Sequence, residues 1–202
     1  MTIVEESPKN TEFTKARKAM IDSQLRTSGV SAEFVLKRMG AVAREDFVPE
    51  KAKSVAYMDR SIPLGDGQYL AAPIVQGLML QEARPTSSDK ALVVDGGSGY
   101  LTELLRPLVN SLDSVSPADA VKGKTPSQNY DLIVIDGAVE YLPDALIAHL
   151  GDHARVVTGY CMNGLTRVAT GRKAAGEVSL LPLAEFGMPV LDAFNKPTSW
   201  SF

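Results

Sequence analysis

The second half of the chain alternates between short apolar runs and amphipathic segments. Residues 91–94 and 132–135 are apolar without interruption, which is typical of parallel strands buried on both faces. A helical pattern begins near Tyr100, and another follows Pro143. Further strands are predicted at 112–116, 154–161, 165–172 and 177–183. This order predicts an α/β fold with a mainly parallel, doubly wound sheet and antiparallel C-terminal strands.

The first ninety residues are predicted to be mostly helical. The apolar residues between Thr11 and Thr27 fall on one helical face, and Gly29 is expected to end that helix. Ser31 is a suitable N-cap for a second helix, and Pro73 is suited to begin a third. Residues 56–71 lack a regular pattern, so we predict one long loop there.

Length and composition favour one globular domain. The chain has 202 residues, of which 45% are hydrophobic and 22% charged, close to ordinary globular usage. We predict a polar N-terminal arm at 1–10 and a single domain at 11–202, with a helical part at 11–90 and the sheet at 91–202. No signal peptide or apolar stretch of membrane-spanning length is visible.

Charge and composition exclude several functions. A net charge of −3 offers no basic footprint for nucleic acid. Cys161 is the single cysteine, which fits a reducing compartment, and we predict a cytoplasmic protein. His149 and His153 are the only histidines. Gly151 lies between them and is expected to end their helix, so we predict no metal site.

A glycine-rich turn joins the strand at 91–94 to the helix near Tyr100. Glycines at 96, 97 and 99 would let a ligand approach the backbone closely, and the free N–H groups there would favour polar or anionic groups. The same turn could equally serve helix–sheet packing. It is neither a Walker A loop nor a nucleophile elbow, because no Gly-Lys-Ser/Thr follows and position 100 is tyrosine.

Two strand ends carry candidate ligand-binding residues. A ribose-binding fold needs an acidic residue after its second strand, but that position is Ser116. Asp113 and Asp119 lie nearby, and either would substitute in a different register. Asp136 ends the strand at 131–135, at the edge where ligands bind in such folds, although it could also cap the following turn.

Several segments together resemble the protein-L-isoaspartate O-methyltransferases, which use S-adenosylmethionine. They are QLRTSGV at 24–30, REDFVP at 44–49, IPLGDGQ at 62–68, GSGY at 97–100, and Tyr130-Asp131 with DGA at 136–138. Their order and spacing carry the resemblance, which covers nearly the whole chain from residue 13. It implies a Rossmann-like methyltransferase fold, in a degenerate bacterial side branch of the family.

The chain departs from this family at positions that matter for its chemistry. The family serine implicated in the reaction falls on Ala71. The acid of the family's cofactor loop falls on Val93 and its first glycine on Asp95. If Asp95 is instead taken as the acid, the loop is two residues short. The ribose-binding acid of the family falls on Ser116.

The connection after Ser116 is also shorter than the resemblance implies. Only the 13 residues 117–129 separate Ser116 from Tyr130, enough for one minimal crossover. The family places a helix, a strand and a further helix there, and a βαβ unit takes roughly 30 residues or more. We therefore predict a sheet shortened by about one β-α unit, a loop at 117–129, and no adenine side of the cofactor pocket.

These departures together predict a pseudoenzyme related to this family. We expect no cofactor and no catalytic residue. The chain would serve as an accessory or structural subunit that binds other proteins in a larger assembly, and that assembly could be peripheral to a membrane complex. The N-terminal arm, Trp200 and Phe202 are candidate contacts, although the tail could instead be a final strand of the chain's own sheet.

Two alternatives remain open. In the first, the chain is an active S-adenosylmethionine-dependent methyltransferase with a rearranged site. Asp95, Asp113 or Asp136 would then supply the missing carboxylates, while the loop at Gly97, Ser98 and Gly99 would hold the methionine part. In the second, the remnant pocket binds another small molecule without chemistry.

Overall fold

The computed structural model describes residues 8–196. Trp200, Phe202 and residues 1–7 of the predicted arm lie outside this range, so their predicted contacts stay predictions. The first helix begins at Pro8 rather than at Thr11, so the last three residues of the predicted arm are helical.

A six-stranded sheet forms the centre of the molecule. Its strands are β3 (Lys90–Val94), β4 (Ser111–Val115), β5 (Tyr130–Val139), β6 (Leu150–Met162), β7 (Leu165–Ala174) and β8 (Glu177–Glu185). They lie in the order β4-β3-β5-β6-β7-β8. The pairings of β3 with β4 and β5, and of β5 with β6, are parallel, whereas β6, β7 and β8 pair antiparallel. The predicted fold class is therefore confirmed.

The connection between β4 and β5 is as short as the sequence predicts. It contains one four-residue helix, α5 (Pro117–Ala120), followed by turns. The prediction of a loop throughout 117–129 is wrong for that helix, because the Ser116 side chain caps it. Within residues 8–196, β4 is an edge of the sheet, and no strand lies beyond it.

The helical N-terminal part differs from its prediction in two places. Helix α1 (Pro8–Met20) continues through a π-helical turn and a 3₁₀ turn to Ser28, and Gly29 with φ +91° ends this run as predicted. Helix α2 (Glu33–Ala41) has Ala32 rather than Ser31 at its N-cap. The amides of both residues donate to the Gln81 side chain at 2.9 Å. This contact from another helix holds the segment before α2, and no side chain caps that helix.

The predicted loop at 56–71 contains a hairpin. Strands β1 (Ile62–Gly65) and β2 (Gln68–Leu70) pair antiparallel, and Asp66 and Gly67 between them both have positive φ. Asp-Gly favours such tight turns, so the sequence held a signal for this hairpin. Helix α3 (Pro73–Ala83) then begins at Pro73, as predicted.

The elements after the glycine turn follow the predicted order. Helix α4 (Tyr100–Leu105) begins at the predicted residue. Helix α6 (Asp144–Ile147) is shorter than predicted, because Leu150 already begins β6. Gly151 therefore lies within β6 and ends no helix, which corrects the prediction. His149 lies in the turn before this strand, and His153 lies within the strand.

Two apolar layers cover the sheet. One contains α3 and the N-terminal helices, and it packs on alternate residues of β3 and β5 such as Val93 and Val134. The other contains α5, α6 and Phe194, packed on Leu92 and Ile133. Both faces of these two strands are thus buried, which explains their unalternated apolar sequence. No helix among residues 8–196 is long and apolar enough to cross a membrane.

Candidate cofactor site

The candidate site lies at the carboxyl ends of β3 and β5. Asp95 directly follows β3, and its amide donates to the Val115 carbonyl of β4 at 2.9 Å. Strand β2 of the hairpin runs beside the glycine turn, where the Tyr69 amide donates to the Gly96 carbonyl at 3.4 Å. The structure therefore brings together the predicted residues of the turn, Asp95 and Asp136, at the edge where open α/β sheets bind ligands.

The Asp95 carboxylate organises the glycine turn from within. Its Oδ1 accepts hydrogen bonds from the amides of Gly97 at 2.6 Å and Gly99 at 3.1 Å, and its Oδ2 accepts one from Thr102 Oγ1 at 3.1 Å. These amides precede α4 and are those that a ligand anion would use. Asp95 thus takes the place of an external acceptor and holds the short turn in shape.

The glycines of the turn are required by close packing. A Cβ on Gly96 would lie 2.3 Å from the Asp136 carbonyl oxygen, and one on Gly97 would lie 2.6 Å from the Gln68 side chain. Gly97 also has φ +114°, a conformation that other residues avoid. Packing between the turn, β5 and the hairpin therefore accounts for both glycines without a ligand.

Asp136 is buried at the centre of this region. It lies within β5 rather than at its end as predicted, one residue past the last pairing of β5 with β3. Both of its carboxylate oxygens accept hydrogen bonds from Gln76 Nε2, at 3.2 and 3.0 Å. Burial, and next the negative charge of Asp95, raise the pKa of Asp136 to about 7. A carboxyl group with such a pKa can hold or release a proton near neutral pH.

A buried arginine extends this network into the N-terminal part. Arg44 donates to Gln76 Oε1 at 2.6 Å, to the Ala56 carbonyl at 2.7 Å and to the Ala71 carbonyl. Burial lowers the pKa of Arg44, but its charge offsets that of Asp136. The segment around Ala71 is thus fixed through its backbone, while its side chain offers a methyl group where the resemblance implies a hydroxyl.

Arg44 is itself held by a second polar cluster. The Tyr57 hydroxyl accepts from the Arg44 amide at 3.3 Å and from Arg17 Nε at 2.7 Å, and it donates to Glu45. Arg17 also pairs with Glu45 at 3.1 Å. Burial is the main cause that raises the pKa of Tyr57, so this hydroxyl stays protonated and keeps its bond to Glu45.

Sequence reasoning did not single out Arg44 or Gln76 as site residues. Arg44 lies in the REDFVP segment, which contributed to the resemblance only as a motif. Gln76 is a polar residue on a buried helix face, and a single glutamine in an apolar pattern gives no signal of its partner. Gln76 and Asp136 are 60 residues apart in the sequence, so only the fold shows that they are in contact.

The end of β4 differs from the end of β3. Ser116 Oγ donates to Asp119 Oδ2 at 2.8 Å and accepts from the Asp119 amide at 3.1 Å, so the pair caps α5. Asp113 lies within β4, opposite Leu92 of β3, and it accepts a hydrogen bond from the Tyr130 hydroxyl at 2.7 Å. Of the two substitutes that the sequence suggested, Asp119 lies at the ligand-binding edge and Asp113 does not.

A cavity of about 450 Å³ lies beside the hairpin. It is lined by hairpin residues and by the segment after β8: Ser61, Gly67, Tyr69, Gly187, Met188, Pro189, Val190 and Asp192. Tyr69 links this cavity to the glycine turn through its bond to Gly96. Within the described part of the chain, no group of three potential metal ligands comes together.

The parallel order β4-β3-β5-β6, with a glycine turn at its carboxyl edge and antiparallel strands beyond β6, defines a Rossmann-like fold. The sequence profile of the protein-L-isoaspartate(D-aspartate) O-methyltransferases matches residues 15–116, just over half of the chain. The chain therefore belongs to the protein-L-isoaspartate O-methyltransferase family. The matched region ends at Ser116, directly before the shortened connection.

Two relatives agree with this assignment. Protein-L-isoaspartate O-methyltransferase of Koribacter versatilis is 30% identical over 196 residues, which cover 85% of this chain and 88% of that protein. The enzyme of Methanoculleus marisnigri is 29% identical over 193 residues, covering 84% and 88%.

The fold itself has a solved counterpart from Plasmodium falciparum. This protein-L-isoaspartate O-methyltransferase, in complex with S-adenosyl-L-homocysteine, superposes with a TM-score of 0.67 at 15% identity. The match covers 90% of this chain and 98% of the Plasmodium chain. At this identity the likeness concerns the fold alone.

Proposed function

We propose that this chain keeps the family fold as a protein-binding accessory subunit and does not complete a methyl-transfer cycle. The observation that carries the proposal is the end of the sheet at β4. The residue after this strand, Ser116, is uncharged and caps a four-residue helix, and the described chain has no strand beyond β4. The adenosyl half of a cofactor would lack an acidic residue directly after β4 and a pocket wall beyond it.

The departures from the family add up in their effect on cofactor affinity, because each affects a different part of one ligand. A missing charge-assisted hydrogen bond costs about 1.5–3 kcal/mol, which is roughly one to two powers of ten in affinity. The amides of Gly97 and Gly99 are already bound by Asp95. Ala71 brings no hydroxyl to the reaction. The residues present thus do not fit S-adenosylmethionine in the manner that the family resemblance implies.

An accessory role fits the surface that the short connection leaves. An edge strand presents unpaired backbone groups, which favour association with another chain, and β4 is such an edge among residues 8–196. We propose protein partners in a multi-subunit assembly, either within the cytoplasm or against a membrane complex. No cofactor is part of this proposal.

An active S-adenosylmethionine-dependent protein-L-isoaspartate O-methyltransferase is the second candidate. The curated relatives favour it over the first, because proteins about 30% identical over most of their length carry that name. The position of Asp119 beside Ser116 also supports it. In this candidate Asp119 would bind the ribose, and the turn at Gly97, Ser98 and Gly99 would hold the methionine part near Asp136.

Calorimetric titration with S-adenosylmethionine separates the two candidates. We expect no measurable binding at millimolar ligand, and no transfer of labelled methyl groups to an isoaspartyl peptide. Binding in the micromolar range together with transfer would overturn the first candidate and establish the second. Binding without transfer would instead support the other alternative from the sequence, a remnant pocket that binds a small molecule without chemistry.

A gain-of-binding variant makes a negative result informative. Ser116→Asp restores the acid of the family, and aspartate is as good an N-cap as serine, so the fold is retained. If the double variant Ala71→Ser, Ser116→Asp binds the cofactor and the natural chain does not, these positions explain the loss. Ser114→Asp, an exposed change in the same strand, is the matched control.

A further inference from the structure

A groove of about 330 Å³ lies far from the glycine turn, between the C-terminal end of α3 and strands β6–β8. Three arginines line it, Arg84, Arg155 and Arg172, together with Glu82 at its rim. Leu181 of β8 forms its apolar wall. Neither the cofactor site nor the family resemblance assigns a role to these residues.

Arg155 is positioned by partners on its own chain. Its Nη2 pairs with Asp89, and its Nη1 donates to the Arg84 carbonyl at 3.1 Å. Arg172 lies directly opposite Arg155 in the antiparallel pairing of β6 and β7. Like charges directly opposite one another in a sheet are destabilising, but Asp89, Asp131 and Asp152 line a neighbouring cavity together with these two arginines and reduce that cost.

The other two guanidinium groups remain available to a ligand. Arg84 and Arg172 are exposed, and within residues 8–196 no side-chain hydrogen bond or ion pair engages either guanidinium. Arg84 also has φ +44° at the end of α3, a position that usually carries glycine. Arg84 thus places a cationic side chain at a position where the left-handed backbone conformation favours glycine.

The apolar wall of the groove continues along β8. Leu181 is 64% exposed and Leu183 is 45% exposed, both on a strand that forms an edge of the described sheet. Pro182 lies between them and has no amide hydrogen, which opposes pairing with a further strand. Recognition at this edge would therefore depend on side chains.

We propose that this arginine groove binds an acidic segment of a protein partner that also carries large apolar side chains. Carboxylates of the segment would meet Arg84 and Arg172, beside the fixed Arg155, and its apolar residues would cover Leu181 and Leu183. Arginine forms bidentate bonds with carboxylates, and exposed apolar surface next to them favours a peptide over a small anion. This inference rests on the protein-binding role proposed above.

Fluorescence anisotropy with a labelled decapeptide of alternating glutamate and leucine tests the proposal. We expect saturable binding at micromolar to submillimolar peptide, weakened at least threefold between 50 and 200 mM salt. The matching lysine–leucine peptide should not bind. Equal binding of both peptides, or no binding of the glutamate peptide at 1 mM, would overturn the proposal.

Point variants locate the binding surface. Arg172→Thr and Leu181→Thr should each weaken binding of the glutamate peptide at least fivefold, since both positions are exposed in strands and threonine suits a strand. Arg84→Gly removes a charge and also relieves the positive φ, so a loss of binding cannot be due to unfolding. Arg106→Ser, which removes an equivalent exposed charge elsewhere, should bind as the natural chain does.

Two further measurements exclude other occupants. Inorganic phosphate at 10 mM that abolishes peptide binding, at constant ionic strength, would identify a small-anion site instead. A dimer in sedimentation that Leu181→Thr dissociates would identify a contact between copies of this chain. Cofactor titration is independent of both, so failure of the groove and failure of the proposed function are distinguishable.

Discussion

The two ends of the cofactor crevice differ in how much of their chemistry is built into the fold. At the end of β3, Asp95 binds the amides of the glycine turn. Beside it, Asp136, Gln76 and Arg44 form continuous buried polar contacts that join the sheet to the N-terminal part. At the end of β4, Ser116 and Asp119 only cap a short helix. The first end is therefore tied to the core, whereas the side-chain contacts at the second end stay local to the start of α5.

Removing Arg44 should have the largest effect. Arg44→Met leaves the Gln76 side chain and the Ala71 carbonyl without their donor and Asp136 without its compensating charge. We expect a loss of about 3–5 kcal/mol in the free energy of unfolding, measured by urea denaturation. Arg26→Met removes an exposed arginine and serves as control, and equal stabilities of the two variants would contradict the comparison.

The buried carboxyl group should make stability depend on pH. Because the folded-state pKa of Asp136 is raised to about 7, the folded chain binds more protons than the unfolded chain between about pH 4 and 7. Its contribution therefore falls by up to about 1.4 kcal/mol per pH unit as the pH rises through this window.

Asp136→Asn should remove that slope and make the protein more stable than the natural chain at pH 8. The asparagine oxygen can still accept the bond from Gln76, so the network keeps its donor. Urea denaturation from pH 4 to 8 measures the effect. A slope that persists unchanged in the variant would show that other groups titrate instead. Asp119→Asn is the matched control at the other end of the crevice.

Adding one methyl group at the glycine turn should have an intermediate effect. Gly96→Ala places a Cβ against the Asp136 carbonyl oxygen, a backbone atom that cannot move freely, and we expect a loss of about 1–3 kcal/mol. Gly187→Ala meets nothing within 4 Å and should be nearly neutral. Thermal denaturation of both variants measures the difference, and a neutral Gly96→Ala would mean that the turn is loosely packed.

The end of β4 should show the smallest effect. Ser116→Ala removes the cap of α5 and should cost about 1 kcal/mol. Ser116→Asp keeps the cap but places its carboxylate beside that of Asp119, so we expect a loss of similar size. Chemical denaturation of both variants tests this. A loss comparable to that of Arg44→Met would show that both ends of the crevice are equally important to the fold.

Sequence reasoning succeeded where a local pattern decides the structure. The apolar runs at 91–94 and 132–135 became buried parallel strands, Pro73 began a helix, and Gly29 ended one. It failed where a distant residue competes with the local signal. Ser31 is a good N-cap by itself, yet the Gln81 side chain takes its amide. The Asp66-Gly67 pair is a local signal that favours a hairpin, so the prediction of one long loop at 56–71 is wrong there.

The candidate site divides in the same way. The glycine turn, Asp95, Asp136 and the uncharged Ser116 could be found from their position after predicted strands. Gln76 could not, because nothing in a helical pattern tells which strand end its amide will meet. The choice between Asp113 and Asp119 also needed the structure, since it depends on the strand register that points one toward Tyr130 and places the other at the edge.

The sequence by itself therefore determined the class of fold, the shortened connection after Ser116 and the absence of a hydroxyl at Ala71. These follow from periodicity, length and residue type, which are properties of the chain alone. Only the tertiary structure decided that Asp95 accepts hydrogen bonds from the amides of its own turn and that Asp136 is buried beside Gln76 and Arg44. It also decided that three arginines line one groove. Such contacts join residues far apart in the chain, and their energies depend on burial and distance, which exist only after folding.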